Sequence, residues 1–191
     1  MEPLGTGMLL AGPSRTGMAL NFPRAVNANL LSSSSLGGVG AGNLHGLLKT
    51  MTVMAKIRPD PNAGSVTGAI LTKNQSSTDW NLVTNSSGTL TFTVGSGAGA
   101  QTATTVGTYD SGTQWVTVAG LYTGSRVVIV IFDEYGQELE RVTSAGAPTF
   151  IDNNNRIAIG GVGAASLYKG DIEWVGVWKR LLPQHELSAQ A

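Results

Sequence analysis

The sequence predicts an all-β protein in which two antiparallel sheets pack face to face as a β-sandwich. Many short segments alternate apolar and polar residues, and clusters of Gly, Ser, Asn and Asp separate them at fairly regular intervals. No segment before residue 183 shows the period of an amphipathic helix. The 191 residues suffice for one sandwich with a substantial core, because single all-β domains often reach this size.

Residues 1–48 are predicted to form an arm, and residues 49–191 the sandwich itself. The arm is rich in Gly, Ser, Ala and Asn, a composition typical of flexible linkers. One strand of the sandwich is expected inside the arm, at about residues 18–22. The glycine-rich run 37–42 does not have the pattern of a phosphate-binding loop, because no Lys-Ser or Lys-Thr pair ends it and no parallel strand precedes it.

Segment 51–58 is the first strong strand signal of the sandwich. Its alternate residues are apolar, which predicts a half-buried strand with these residues on the core face: Met51, Val53, Ala55 and Ile57. Thr52, Lys56 and Arg58 occupy the opposite face, and the Pro- and Gly-containing run 59–64 ends the strand. Further strands are predicted at 66–71, 80–83 and 90–94, and a Thr-rich strand at 102–106 is expected at a sheet edge.

The second half of the sandwich begins with two strands at 115–122 and 126–133. Residues 127–132 are apolar on both faces, which predicts either a central strand covered on each side or a strand buried at a subunit contact. A turn at 134–136 leads into a returning strand at 138–142. Later strands are predicted at 156–161 and 170–178, and Pro183 starts a short helix over 184–189.

Five motifs in chain order resemble those of laminin-G-like (concanavalin A-like) jelly-roll domains. The last one, G-x-I-x-x-V-x-V-W-x-x-x-L-P-x-x-E, runs from Gly170 to Glu186. The others are A-L-N-F at 19–22, W-x-x-V-A-x-x-Y-x-G at 115–124, F-D-x-x-G at 132–136 and I-A-I-G at 157–160. The resemblance spans residues 18–187 and implies a jelly roll whose core includes Trp115, Val118, Val128, Val130, Ile159, Ile172, Val177 and Trp178.

Composition argues against several functional classes. The 12 basic and 12 acidic side chains cancel, and no basic cluster offers a footprint for nucleic acid or for polybasic membrane attachment. Cysteine is absent, which removes disulfides, thiolate metal sites and a Cys nucleophile. The sequence shows neither a secretory signal nor a membrane-spanning segment, so we expect a soluble protein that is made in the cytoplasm and needs no cofactor.

Titratable residues in catalytic patterns are few. Asp171 and Glu173 lie two apart on a predicted strand, and some glucanases of the same fold place their acid and nucleophile in an E-x-D-x-x-E arrangement. Gly176 stands where the third acid would be, so we interpret both carboxylates as structural. His45 and His185 have no metal-ligand partner at suitable spacing, and no G-x-S-x-G elbow is present. The sequence therefore predicts a non-enzymatic protein.

Two kinds of ligand site remain as hypotheses. Asp152 and Asn154 are weak calcium candidates, because loop oxygens suit a hard cation but no acidic cluster accompanies them, and we expect no metal. A glycan site needs an aromatic platform beside hydrogen-bonding amides. Its candidate residues are Trp80, Asn81, Tyr122, Tyr135 and Asn153.

Composition and the arm favour a structural role. Small, Cys-free sandwiches rich in Gly, Ala, Ser and Thr are typical of virion proteins, so the first hypothesis is a structural or decoration protein of a bacteriophage capsid or tail. Its partners would be subunits of the same or a larger assembly in the virion, after synthesis in the host cytoplasm. The arm would contact them through apolar residues that a free monomer would expose: Met8, Leu9, Leu10, Leu30 and Leu31. The alternative is a glycan-binding module for host-surface attachment, and the fold alone does not choose between the two.

Overall fold

The described part of the chain forms two antiparallel β-sheets and one short helix. A computed structural model describes residues 7–9, 20–22, 31–32, 50–61, 67–74, 78–95, 97–149, 157–161 and 167–191. No helix within these ranges is long and apolar enough to cross a membrane. The predicted all-β sandwich with a short C-terminal helix is therefore confirmed.

The strands are numbered in chain order through the described residues. They are β1 (Gly7–Leu9), β2 (Leu20–Phe22), β3 (Leu31–Ser32), β4 (Met51–Pro59), β5 (Gly68–Asn74), β6 (Thr78–Thr84), β7 (Leu90–Val94), β8 (Gln101–Thr104), β9 (Val116–Tyr122), β10 (Val127–Phe132), β11 (Glu138–Thr143), β12 (Ile157–Ile159) and β13 (Gly170–Trp178). The helix α1 spans Gln184–Gln190, and Pro183 precedes it as the N-cap residue.

The two sheets interleave strands from distant parts of the chain. Sheet A has the order β1-β13-β4-β9-β10-β11, with β2 also paired to β13, and sheet B has the order β3-β12-β5-β6-β7-β8. The Thr-rich strand β8 lies at the edge of sheet B, as predicted. The short strands β1, β2 and β3 come from the first 48 residues and pair with β13 and β12 of their own chain. The division of the chain at residue 48 stays a prediction.

The main core lies between the two sheets, where their inward-facing residues meet. Strand β4 contributes Val53 and Ile57, and β6 contributes Trp80 and Leu82. Phe92 of sheet B packs directly on the backbone of Gly120 in sheet A. A Cβ atom at residue 120 would lie 2.5 Å from the Phe92 ring, so the contact between the sheets at this point requires glycine.

Strand β10 buries all of its residues because each of its faces meets a different core. Its odd-numbered residues face sheet B, and its even-numbered residues face outward into a second cluster. We call this second cluster the outer cluster; it consists of Met54, Ala119, Leu121, Val128, Val130, Phe132, Leu182 and Leu187. Of the two predicted alternatives for this strand, the structure confirms cover on each side within the chain.

The segment after β13 covers part of the outer face of sheet A. It brings Leu182 and the α1 residue Leu187 onto the outer cluster. The prediction of a half-buried strand with Thr52 away from the core is therefore wrong at Thr52, which is fully buried, and Met54 on the same face is fully buried as well. Period-two alternation showed which residues share a face, but it could not show that the chain returns to cover that face.

Thr52 fixes the path of this covering segment. Its hydroxyl donates to the carbonyl oxygen of Arg180 at 2.8 Å and accepts from the backbone N–H of Leu182 at 3.0 Å. The segment thus crosses the N-terminal end of β4, where the buried Thr52 hydroxyl bonds both the Arg180 carbonyl and the Leu182 amide. The buried Leu182 amide would otherwise be desolvated without a partner, which costs more than an ordinary hydrogen bond contributes.

A buried ion pair stands at the irregular end of the β5–β6 ladder. Lys73 Nζ lies 2.7 Å from Asp79 Oδ2, and both side chains are fully buried. The register shifts between Lys73 and Asn74, and Asp79 has no direct cross-strand partner in this ladder. Such a pair fixes local geometry more surely than it adds stability, because desolvation offsets most of the attraction.

Glu140 connects the edges of the two sheets. Its carboxylate on β11 accepts from the backbone N–H groups of Val106 (2.5 Å) and Gly107 (3.1 Å) and from the Tyr109 hydroxyl (2.7 Å), all of which follow β8. Burial acts to raise the pKa of Glu140, but these three hydrogen bonds outweigh it and hold the pKa below its usual value. Burial, together with the neighbouring Glu140 carboxylate, raises the pKa of Tyr109.

We expect Thr52→Val to destabilise the protein by about 1–3 kcal/mol, because it leaves the buried Leu182 amide and the partly buried Arg180 carbonyl without the Thr52 hydroxyl. The free energy of unfolding from urea titration is the measurement. Thr102→Val is the matched control, since Thr102 is exposed on the edge strand β8 and its loss should change stability by less than about 0.5 kcal/mol. Equal effects of the two substitutions would contradict the role of Thr52.

Glu140→Gln tests the connection between the sheets through its pH dependence. Because the folded pKa of Glu140 lies below its unfolded value, the ionised carboxylate stabilises the fold above the unfolded pKa, and this contribution is lost as the pH falls through the folded pKa. The stability difference between wild type and Glu140→Gln should therefore be largest above about pH 5 and shrink below about pH 4. A difference that does not shrink on acidification would show that the charge of Glu140 contributes nothing.

Candidate functional site

Two of the aromatic residues predicted for a glycan site lie in the core. Trp80 is 1% exposed and Tyr122 is 6% exposed, and both belong to the main core between the sheets. Neither ring offers a face to a ligand. Trp80 and Leu82 are two residues apart on β6, so both side chains point inward. This spacing is already visible in the sequence. This corrects the sequence-based choice of these two rings as platforms.

The other predicted glycan residues do not come together. Asn81 faces outward from the middle of sheet B, whereas Tyr135 is 80% exposed on the turn between β10 and β11 of sheet A. Asn153 lies outside the described residues, as do the calcium candidates Asp152 and Asn154. The predicted set therefore does not form one surface.

The predicted subunit-contact residues are only partly described. Met8 and Leu9 lie in β1, which pairs with β13, and Leu31 lies in β3, which pairs with β12. Leu10 and Leu30 lie outside the described residues. The described backbone of the arm is thus engaged within its own chain.

The carboxylates considered for catalysis are held by cations on the neighbouring strand. Both Nε and Nη2 of Arg58 donate to Asp171 Oδ2, at 2.9 and 2.5 Å, and Lys56 Nζ lies 3.7 Å from Glu173 Oε2. The β4–β13 register shifts at Glu173, so the two acids do not form a regular pair. This is the arrangement of structural ion pairs.

The histidines and other metal-binding side chains do not form a centre in the described residues. His185 is exposed on α1, and His45 lies outside the described ranges. Within those ranges no group of three or more His, Cys, Asp or Glu side chains is placed to hold a metal ion.

The outer face of sheet A carries a surface that the sequence analysis did not predict. Three of the four tryptophans lie on it, each half-buried, next to two cations and two carboxylates from β4 and β13. We call it the tryptophan surface; it consists of Trp115, Trp174, Trp178, Lys56, Arg58, Asp171 and Glu173. The family resemblance implied that Trp115 and Trp178 are core residues. The structure corrects this, because neither belongs to the main core.

One end of the tryptophan surface is built around Arg58. Its guanidinium carbon lies 5.0 Å from the centre of the Trp115 ring, a cation–π contact. The same guanidinium holds the largely buried carboxylate of Asp171, so its orientation is fixed by two different partners. The Arg58 side chain nevertheless remains 41% exposed. It is thus a rigidly held cation that solvent and ligands can reach.

The other end of the surface is built along β13. Trp174, Gly176 and Trp178 alternate with inward-facing valines and so point outward together. The six-membered ring of Trp178 lies over Gly176, because a Cβ atom at residue 176 would be only 2.4 Å from its Cη2 atom. Trp174 stands opposite Lys56 in the ladder, beside the Lys56–Glu173 ion pair. Two indoles and a loosely paired set of charges therefore share one outer surface.

The tryptophan surface lies on the part of the outer face of sheet A that the C-terminal segment does not cover. That segment packs on the outer cluster, which comes mainly from β9 and β10. Trp174 and Trp178 contact the border of the outer cluster and are only partly buried by it. The sequence signal for them was present in the alternation Trp174, Val175, Gly176, Val177, Trp178, which puts the tryptophans opposite the core valines.

The sequence comparison identifies the family. Residues 35–188 match a laminin-G profile described as the concanavalin A-like lectin/glucanases superfamily. The chain belongs to the concanavalin A-like lectin/glucanase superfamily. This confirms the resemblance carried by the five motifs. No curated protein matches the sequence of this superfamily member.

Solved structures of similar fold are binding domains. The binding domain of botulinum neurotoxin DC, in complex with rat synaptotagmin II, matches with a TM-score of 0.56 at 11% identity, over 77% of this chain and 36% of that chain. The binding domain of Paraclostridial Mosquitocidal Protein 1 gives a TM-score of 0.53 at 16% identity, over 74% and 36%. The CBM40 domain of a Ruminococcus gnavus IT-sialidase, bound to α2,3-sialyllactose, gives 0.53 at 16% identity, over 74% and 82%.

These likenesses are of fold alone. The chain spans about a third of the length of the neurotoxin and mosquitocidal protein binding domains, but most of the length of the sialidase CBM40 domain. A β-sandwich fold is therefore what the chain shares with them.

Gly176→Ala tests how the tryptophan surface is built. The added methyl group must displace the Trp178 ring, because it would lie 2.4 Å from Cη2. We expect a changed near-ultraviolet circular dichroism spectrum, an unchanged far-ultraviolet spectrum and a loss of roughly 1 kcal/mol in stability. A near-ultraviolet spectrum that superimposes on that of the wild type would contradict the described position of the ring.

Proposed function

We propose that the chain is a non-enzymatic glycan-binding module and that the glycan binds at the tryptophan surface. The observation that carries this proposal is the pair Trp174 and Trp178 on one outer face, with Lys56 and Glu173 beside them. Protein sites for sugars combine aromatic rings with a few polar groups that set orientation. This surface is where the described part of the chain brings the two together.

The chemistry of the surface suits a pyranose. The apolar face of a sugar ring can stack on an indole, and this contact removes apolar area from water. Lys56 Nζ and Glu173 Oε2 are 3.7 Å apart, too far for a hydrogen bond, so both retain capacity to bond sugar hydroxyls. Arg58 adds an exposed donor group that Trp115 and Asp171 already orient. The binding groups are therefore largely in place before a ligand arrives.

The solved structures of similar fold support binding over catalysis. The CBM40 domain of similar fold and similar extent was solved with sialyllactose bound, and the neurotoxin and mosquitocidal protein structures are binding domains. Of the two carboxylates considered for hydrolysis, Asp171 is hydrogen-bonded to Arg58, and Glu173 lies 3.7 Å from Lys56 Nζ. Both findings favour recognition without chemistry.

Glycan-array screening followed by calorimetry with the best ligand tests this function. Trp174→Ala and Trp178→Ala should each weaken binding by roughly tenfold or more, because each removes a stacking surface. Tyr135→Ala is the matched control, since it removes an exposed aromatic ring at a different edge of sheet A. That variant should bind like the wild type.

The control also decides between two candidate sites. Loss of binding in Tyr135→Ala with full binding in both tryptophan variants would reject the tryptophan surface. Far-ultraviolet circular dichroism and a urea titration of each variant separate loss of the site from loss of the fold.

A second candidate function is a structural role in a larger assembly, as in a virion. The observation that favours it is a group of exposed large apolar residues near β11. Tyr135 lies on the turn that leads into β11, and Leu139 lies on that strand. Val106 is close to the same strand, because its backbone N–H donates to the Glu140 carboxylate. Exposed apolar residues gathered at one edge are typical of a protein contact.

Light scattering tests the assembly role directly. If β11 forms a subunit contact, the wild-type chain should be oligomeric, and the double variant Val106→Ser, Leu139→Ser should be monomeric with unchanged stability. A wild-type chain that stays monomeric at high concentration would count against self-assembly through this edge.

A further inference from the structure

We propose that residues 105–109 form an acid-sensitive latch between the edges of the two sheets, which opens when the Glu140 carboxylate is protonated. These residues, which we call the latch segment, follow β8 at the edge of sheet B. Glu140 lies on β11, at the edge of sheet A. The latch is a conformational device of the fold and is independent of glycan binding at the tryptophan surface.

The two ends of the latch segment are anchored within sheet B. The backbone N–H of Thr105 donates to the Leu90 carbonyl at 2.9 Å, and the Thr105 hydroxyl accepts from the Leu90 N–H at 2.9 Å. At the other end, the backbone N–H of Tyr109 donates to the Gly88 carbonyl at 2.8 Å. None of these hydrogen bonds involves Glu140, so both ends keep their place when its charge changes.

The middle of the latch segment is held to sheet A by one carboxylate. Glu140 Oε1 accepts from the backbone N–H of Val106 at 2.5 Å. Glu140 Oε2 accepts from the backbone N–H of Gly107 at 3.1 Å and from the Tyr109 hydroxyl at 2.7 Å. The segment fits closely around the carboxylate, because a Cβ atom at residue 107 would lie 3.0 Å from Oε2. The described hydrogen bonds from the segment to sheet A thus all end on Glu140.

The charged neighbours of Glu140 on its own strand point to the other face of sheet A. Glu140 pairs with the core residue Ile131, whereas Arg141 pairs with Val130 of the outer cluster. Arg141 donates to both carboxylate oxygens of Glu138, at 2.9 and 2.7 Å. Among the residues that the structure describes, no basic side chain forms an ion pair with Glu140.

The elements packed against Glu140 add no further charge. Strands β8 (Gln101–Thr104) and β10 (Val127–Phe132) contain no titratable side chain. Tyr109 faces Glu140 from the latch segment, and Asp110, the next residue, packs instead against Gly88. Hydrogen-bond donors alone therefore stabilise the Glu140 charge, and Glu140 is the acidic group on which this contact depends.

Protonation of Glu140 weakens all three hydrogen bonds. It removes the charge that makes them stronger than neutral ones, and it turns one acceptor oxygen into a donor that faces another donor. In the closed latch these hydrogen bonds hold the pKa of Glu140 below its usual value. Ionisation therefore favours the closed latch above the usual pKa, and this preference is lost as the pH falls through the lower, closed-state pKa.

Opening of the latch changes the surface near β11. The half-buried residues Tyr109 and Val142 pack against the main core at this edge, so release of the segment exposes them further. Val106, which is 87% exposed, loses the bond that holds it close to β11. The apolar group that favours the second candidate function is therefore complete only in the closed latch.

Hydrogen exchange of single backbone amides in the full chain, followed by NMR at about pH 7 and about pH 3, tests the latch. Protection is corrected for intrinsic exchange at each pH. We expect the protection of the Val106 and Gly107 amides to fall roughly tenfold or more in acid. The amides of Thr105 and Ser144 are internal references, because they donate to backbone carbonyls of Leu90 and Val127. Their protection should fall by a much smaller factor.

Two matched variants separate Glu140 from its neighbour. Glu140→Gln carries no charge at either pH, so the Val106 and Gly107 amides should be poorly protected at both. Glu138→Gln removes a carboxylate of the same strand whose hydrogen bonds go to Arg141 and Gln184. That variant should keep the protection of the wild type at about pH 7 and its loss in acid.

Three outcomes would overturn the latch. The first is equal protection of Val106 and Gly107 at both pH values in the wild type. The second is a Glu140→Gln variant that keeps the pH dependence of the wild type. The third is a loss of protection at Thr105 and Ser144 by the same factor as at Val106, because acid would then unfold the whole domain. Each of these outcomes leaves glycan binding at the tryptophan surface unaffected.

Discussion

The fold depends on one constraint: the centre of sheet A is apolar on both faces, so the chain must cover it on each side. Sheet B covers the inner face and forms the main core. The C-terminal segment covers part of the outer face, held where it crosses β4 by the Thr52 hydroxyl. This second cover reaches β9 and β10 but leaves β13 and the Arg58 end of β4 only partly buried. The tryptophan surface exists because the cover stops there.

The same constraint explains why the tryptophan surface is stiff. Trp178 lies on the backbone of Gly176, and Trp115 lies under a guanidinium that Asp171 also holds. Side chains fixed in this way lose little conformational entropy when a ligand binds, which improves affinity without added contacts. Sheet B meets solvent differently, through the threonines of its β7–β8 edge, of which Thr93 is half-buried and Thr102 and Thr104 are exposed. The two faces of one sandwich thus offer different chemistry.

The sequence predicted the fold well and the site poorly, and the reason is physical. Alternation located β7 at its observed bounds and placed β8 at a sheet edge, because strand period and turn residues are local properties. The burial of Thr52 depends on a segment about 130 residues away, which no local pattern contains. Trp80 and Trp174 are the same residue type, and only their spacing from core neighbours distinguishes them. Trp80 is two residues from Leu82 and shares its inward face, whereas Trp174 is adjacent to Val175 and points the other way. The register shift at Glu173 was likewise invisible, since a bulge leaves little trace in sequence.

We propose that a glycan binds the outer face of sheet A by contacting the tryptophans of the tryptophan surface. The most direct measurement follows the four indole N–H resonances of the wild-type chain by ¹⁵N NMR while a glycan ligand is added. Trp80 is an internal reference, because it is buried in the main core. We expect saturable shifts for Trp174 and Trp178, a smaller one for Trp115, and none for Trp80. Saturable binding that leaves Trp174 and Trp178 unshifted would contradict it.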